Sequence, residues 1–467
     1  MRARIASGVA VALLVVSSGL VAAGAALPPI PPQPPFHYKR TTKCVQLANT
    51  RSTLKSGVSW AQQQLDYTAL WQLGVRGRGS RIAVIDTGVN PVSAFTGRLM
   101  SGGDYVVAGG DGQQDCDGHG TLVAGLIAAA PDQQTGFAGV APGAQILPIR
   151  QSSDYYGLRH PKNAQQQNQT AGNTTSLAAA IEYAVARGAT VINISEASCT
   201  DPSNGIDPSI QPAVDDAVRN KVVVVASAGN VDDNTACKQQ NTPGKQPVTY
   251  PSPADLDNVL SVAAVDENGD VAPFSLAGPW VDVAAPGVDI ISTNPVVGGT
   301  GQINEFITSS GVNTLQGTSF AAPYVAGLAA LIQERFPGIT AQGVIRRIEQ
   351  TAEHPSAPGG RNEYIGYGMI DPAAALTAVL PGDNGVTPTP RSGPQTLPAA
   401  HPHHDTSGTR RRIALYSALG LLVLCVVVGI ALGTVRRTRR RRGDRVAPAA
   451  RESSLRTGAG AGRGRSG

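Results

Sequence analysis

The chain of 467 residues has only five cysteines, and no two of them stand in a Cys-x-x-Cys spacing. That argues against a structural zinc site, whose thiolate ligands usually come in such pairs. No stretch reads as a calcium-ligand loop either, so no metal and no other cofactor is expected. The run Gly74-Val75-Arg76-Gly77-Arg78-Gly79 precedes a strand rather than joining a strand to a helix. It reads as a turn, not as a phosphate cradle. His401, His403 and His404 fall in a proline-rich stretch and read as linker rather than as metal ligands. Positive charge is scarce outside the far end. Residues 410–467 hold 14 Arg against Asp444 and Glu452, a net of +12, so the whole chain's +5 leaves −7 for residues 1–409. A mildly acidic body gives no reason to expect a nucleic-acid partner.

What is present begins with a leader. Arg2 and Arg4 precede an apolar run from Val9 to Val16, then small residues through Ala22, Ala23 and Ala25, the pattern of a secretory signal over residues 1–25. Residues 26–59 form a proline-rich extension carrying Cys44. At the other end, 381–409 is a Pro/Gly/Ser/Thr linker, and 413–435 is apolar and uncharged, long enough to span a bilayer. The arginine-rich tail 436–467 is expected in the cytoplasm by the positive-inside rule, beside anionic lipid headgroups, with the main body outside.

Between 60 and 380 strand-like and helix-like runs alternate. The strands are expected at Arg81–Asp86, Gln145–Ile149, Ala189–Ser195, Val222–Ala228 and Val259–Val265. The helices are expected at Leu122–Ala130, Ser176–Arg187, Pro212–Asn220 and Ser319–Phe336. Strands as uniformly apolar as Val222-Val223-Val224-Val225 fit a parallel sheet covered on both faces. The expected fold is therefore α/β, a doubly wound parallel sheet with helices on both faces and a site at the strands' carboxyl ends.

Chemistry-bearing residues stand where that rule wants them. Ser319 lies in Gly317-Thr318-Ser319-Phe320-Ala321-Ala322-Pro323, between a turn and an apolar helix. Such a serine can be a cap or, given a base, a nucleophile favoured by the helix end. Asp86 ends an apolar strand, His119 stands in Asp117-Gly118-His119-Gly120-Thr121, and Asn230 follows the strand through Ala226-Ser227-Ala228-Gly229. An imidazole between a carboxylate and a hydroxyl, with an amide donor for the oxyanion, performs acyl transfer.

At these four motifs the chain resembles the subtilisin-like serine proteases. The resemblance implies a triad of Asp86, His119 and Ser319, with Asn230 and the Ser319 backbone N–H at the oxyanion and a protein or peptide as substrate. It implies substrate contacts at Ser195, Ala228 and Gly229. The family's Ser-Leu-Gly-Gly is replaced by Ser195-Glu196-Ala197-Ser198-Cys199, which leaves pairing with a peptide possible but alters the pocket. Glu196 could favour a basic group nearby; it reads first as solvated surface charge. The polar insertion Ser152 to Thr170 is expected to be a mobile loop restricting the cleft. The whole layout resembles the mycosins, membrane-anchored proteases of type VII secretion systems, which implies a secretion membrane complex as partner and a structural role beside cleavage. Cys44, Cys116, Cys199 and Cys237 allow three pairings, which spacing does not decide. Cys44–Cys116 would tie the extension to the His119 loop, and Cys199–Cys237 would close a surface loop.

Overall fold

The computed structural model describes residues 32–53, 58–200, 209–232, 237–308 and 311–381. The expected signal, linker, membrane span and tail lie outside them. Among the described residues no helix is long and apolar enough to cross a membrane.

Seven strands form the central sheet: β1 (Arg81–Asp86), β2 (Gly103–Asp104), β3 (Gln145–Arg150), β4 (Val191–Ile194), β5 (Val223–Ser227), β6 (Val259–Val265) and β7 (Val283–Pro286). Their order is β7-β6-β5-β4-β1-β3-β2, and every neighbouring pair is parallel. The interior strands are apolar on both sides because each side meets helices. Ile82 and Val84 enter one core, while Ala83 and Ile85 enter the other, as a period of two dictates. The first core holds α1 (His119–Ala128), and the second holds α2 (Thr174–Ala186) and α3 (Gln211–Arg219). The first also holds α4 (Thr318–Arg335) and α5 (Ala341–Thr351). Helix α4 is buried from Thr318 to Ile332, the fate of a helix apolar all round.

The expected elements recur, Arg81–Asp86 and Val259–Val265 with the expected ends and the others with ends shifted by at most three residues. Strands β2 and β7 had no distinct signal: β2 is two residues long, and β7 is the short run Val-Ala-Ala-Pro. After β1 the chain adds β2 and β3 on one side, then β4 to β7 on the other. The crevice between β1 and β4 is thus the topological switch point, where ligands bind in such folds.

The extension runs over this body as paired backbone. Tyr38–Arg40 pairs antiparallel with Ser153–Leu158, which also pairs with Thr170–Ala171. Thr50–Arg51 pairs with the strand Glu305–Thr308. The insertion expected as a mobile loop thus begins with a strand, Ser153–Leu158, that has a partner on each edge. Cys44 is bonded to Cys116 and Cys199 to Cys237, and the Val45 N–H donates to the Cys116 carbonyl at 2.9 Å. Of the three pairings the cysteine spacing left open, this is the one that forms.

Candidate active site

Asp86 closes β1 and is fully buried. Its Oδ1 accepts from the Thr87 N–H at 2.8 Å and lies 2.7 Å from His119 Nδ1. An ionised carboxylate can only accept, so Nδ1 carries a proton, and in the neutral imidazole it is Nε2 that is left with a lone pair. Oδ2 is buried without a hydrogen-bond partner. Gly120 permits this closeness: a Cβ there would stand 2.1 Å from the Gly88 carbonyl oxygen and 3.0 Å from Asp86 Oδ1.

The histidine is positioned by Asp115, a residue to which sequence reading gave no role. Its Oδ1 accepts from the Gly118 N–H at 2.7 Å and the Thr87 hydroxyl at 2.8 Å. Its Oδ2 accepts from the Thr121 N–H at 2.8 Å and the Thr121 hydroxyl at 2.6 Å. A buried carboxylate thus caps the first turn of α1, where the helix dipole and free N–H groups favour an anion. Thr87 Oγ1 accepts in turn from the Gly120 N–H at 3.0 Å. An acid four residues ahead of the histidine, at a helix start, was the signal available. Burial pushes the Asp115 carboxyl up, against the bonds from Thr121. Burial pulls the His119 imidazole down, but the neighbouring Asp86 carboxylate, its hydrogen bond and the charges of Glu196 and Asp115 together outweigh it and raise it to about 9.

Ser319 is the second residue of α4 and is buried to 8% exposure. Among the described residues its hydroxyl makes no hydrogen bond, to His119 or to another group. The Phe320 ring lies 5.3 Å from the imidazole, which sets the histidine beside the serine's neighbour. Asn230 Oδ1 accepts from the Thr318 N–H at 2.9 Å and the Thr318 hydroxyl at 3.0 Å. This fixes the amide and turns its Nδ2 donors elsewhere. Gly317, at φ +151°, shows where: the point its Cβ would occupy is 2.9 Å from Ser319 Oγ, 3.4 Å from Asn230 Nδ2 and 3.7 Å from the Ser319 nitrogen. Only glycine leaves that space open, and it is bounded by a hydroxyl and two donors, the form of an oxyanion hole.

The other expected site residues are placed as follows. Ser195 follows β4, and its hydroxyl accepts from Asn193 Nδ2 at 2.8 Å. The Ala228 N–H donates to the Val262 carbonyl and the Gly229 carbonyl accepts from the Leu276 N–H, each at 2.9 Å. Glu196 is half-buried and its Oε1 accepts from the Ser152 hydroxyl, so it is not the solvated surface charge expected from the sequence. Burial and the nearby Asp86 push its carboxyl up, the Ser152 bond and His119 pull it down, and it settles at about 8.

Residues 77–368 match the subtilase family of S8 peptidases. Mycosin-4 of Mycobacterium tuberculosis is 38% identical over 411 residues, covering 86% of each chain. The chain belongs to the subtilases and, within them, to the mycosins. It is accordingly a subtilisin-like serine protease. Mycosin-1 of Mycolicibacterium smegmatis is 42% identical over 322 residues, 65% of this chain and 70% of that one. Among solved structures, MycP1 from the ESX-1 type VII secretion system superposes with a TM-score of 0.69 at 35% identity, covering 79% of this mycosin and 96% of that chain. A chain of an intact ESX-5 inner membrane complex gives 0.67 at 34% identity, covering 88% and 97%.

Proposed function

We propose that this mycosin cleaves peptide bonds of a restricted set of exported proteins through Asp86, His119 and Ser319. Asp86 holds the imidazole tautomer and stabilises its charged form. His119 takes the Ser319 proton and later returns it to the leaving amine. Asn230 Nδ2 and the Ser319 N–H steady the tetrahedral oxyanion in the space that Gly317 leaves open. The single observation that carries this reading is the 2.7 Å contact between His119 Nδ1 and Asp86 Oδ1. It leaves Nε2 as the base, with a helix-start serine beside it. The peptide substrate lies along the chain after β4, at Ser195, with Ala228 and Gly229 at the far wall. No metal or other cofactor has a part.

The same reading places a signal at 1–25, an extension at 26–59, the protease at 60–380, a linker at 381–409, a membrane span at 413–435 and a cytoplasmic tail at 436–467. The protease then sits outside the cytoplasm, tethered to the cell membrane and associated with a type VII secretion complex. Support for the partner comes from the similarity to a chain of the ESX-5 inner membrane complex. That similarity also favours a second role, as a component of the assembly whose cleavage is dispensable.

Labelling of the full-length protein with a fluorophosphonate tests the first reading. Wild type is expected to label at one serine and Ser319→Ala not at all; labelling of the variant at an equal rate sinks it. Complementation of a deletion strain by Ser319→Ala tests the second. Restored secretion supports an assembly role, and lost secretion removes it.

A further inference from the structure

We propose that Glu196 selects a cationic side chain of the substrate next to the scissile bond. The inference rests on the protease reading above and names the class of residue that site prefers.

Glu196 follows β4 at the switch point, across the crevice from Asp86. Among the described residues neither Glu196 nor Ala197 makes a backbone hydrogen bond, although strands stand on either side of them at β4 and at Ser198–Thr200. An unpaired stretch of this kind accepts an extended peptide as an added strand, with backbone bonds giving affinity and alternate side chains giving selectivity. A peptide laid there passes directly over the Glu196 side chain.

The carboxylate is prepared for a partner it does not have. Its Oε1 is pinned by the hydroxyl of Ser152, which is itself buried. Its Oε2 has no protein partner among the described residues, yet it is not sealed from solvent. The charged groups acting on it are Asp86 from the end of β1, His119 from α1 and Asp154 from the strand Ser153–Leu158. Two of the three are acidic, and no Lys or Arg among the described residues forms an ion pair with it. A half-buried carboxylate beside two other acids is costly to ionise. An ammonium or guanidinium delivered by the substrate offsets that cost; an apolar side chain would desolvate Oε2 and give nothing back.

The same charge bears on the base. Glu196 stabilises protonated His119, as do Asp86 and Asp115. A protonated imidazole cannot accept the serine proton, so cancelling the Glu196 charge lowers the pH at which the base works. A cationic substrate would do this on binding, and Glu196→Gln does it permanently.

The test uses the full-length protein in detergent, as wild type, Glu196→Gln and Ser152→Ala. Fluorophosphonate labelling is followed from acid to alkaline pH. Quenched peptide mixtures are then cleaved, with one position at a time fixed as Lys, Arg, norleucine or Glu. Wild type is expected to prefer Lys and Arg over norleucine at one position by at least about tenfold, the scale of a close charge pair. Glu196→Gln should bring that ratio to within about twofold and move the acid limb of labelling to lower pH. Ser152→Ala, which keeps the carboxylate but releases it, should lower the ratio several-fold, and it decides the matter should the first variant not fold. A wild type that labels but has no cationic preference overturns the inference, as does a preference that survives both substitutions. A wild type that does not label overturns the protease reading instead, so the two failures are distinct.

Discussion

The His119 wall and the Ser319 wall of the crevice are built in opposite ways. Around His119, the side chains of Thr87, Asp115 and Thr121 are bonded to one another or to the backbone of α1, and the Asn90 side chain is bonded to the backbone of Asp115. On the other side the Ser319 hydroxyl makes no hydrogen bond among the described residues, and Asn230 is fixed through its oxygen alone. The difference separates what must be rigid from what must move. In the proposed mechanism the tautomer and direction of the imidazole are set before substrate arrives, because a misoriented base cannot be repaired during the reaction. The serine hydroxyl turns on one bond, and catalytic hydrogen bonds of this kind tighten only when substrate is bound.

If the rigid wall matters as described, its loss should cost the most. Asp86→Asn leaves the shape of β1 intact but lets the imidazole adopt the wrong tautomer. We expect peptide turnover to fall by about 10⁴-fold with the thermal transition little changed. A loss below tenfold would show that the carboxylate does not set the tautomer. Next comes Asn230→Ala, which removes one donor from the looser wall. The expected loss is roughly 10²–10³-fold in kcat, the usual cost of one oxyanion donor, with KM nearly unchanged. A rise in KM at constant kcat would instead make Asn230 a substrate contact.

The same division governs how much the sequence revealed. The residues of the crevice were legible because each sits in a short motif whose local form, strand end or helix start, is written in neighbouring residues. The central strands were legible because their apolar runs are long. What was hidden depends on long-range pairing. Asp115 stands before a helix start, which is a local signal, but its bond to Thr87 spans 28 positions and no neighbouring residue announces that partner. Glu196 read as surface charge because its partner Ser152 lies 44 positions away. The stretch from Ser152 to Thr170 is polar enough to read as a loop, yet its strand Ser153–Leu158 pairs with Tyr38–Arg40, from a part of the chain more than a hundred residues earlier. Polar strands paired at both edges have no apolar signature to betray them.

The smallest effect on rate is expected from the bond that joins the extension to the rigid wall. Cys44–Cys116 closes 72 residues, and loss of such a cross-link through Cys44→Ala with Cys116→Ala costs up to about 4 kcal/mol by loop entropy. Cys116 is the immediate neighbour of Asp115, so the rate could follow the stability if the bond held the acid in place. The hydrogen bonds indicate otherwise. Both oxygens of Asp115 are held by Thr87, Gly118 and Thr121, and its N–H donates to Asn90 Oδ1 at 2.9 Å; none of these passes through sulfur. The double variant should therefore unfold at lower temperature while labelling with fluorophosphonate at room temperature to within about threefold of wild type. This is under one kcal/mol in the barrier. A loss approaching that of Asp86→Asn, in protein still folded by circular dichroism, would mean that the extension holds the His119 wall in position and that its rigidity is borrowed from residues 32–53.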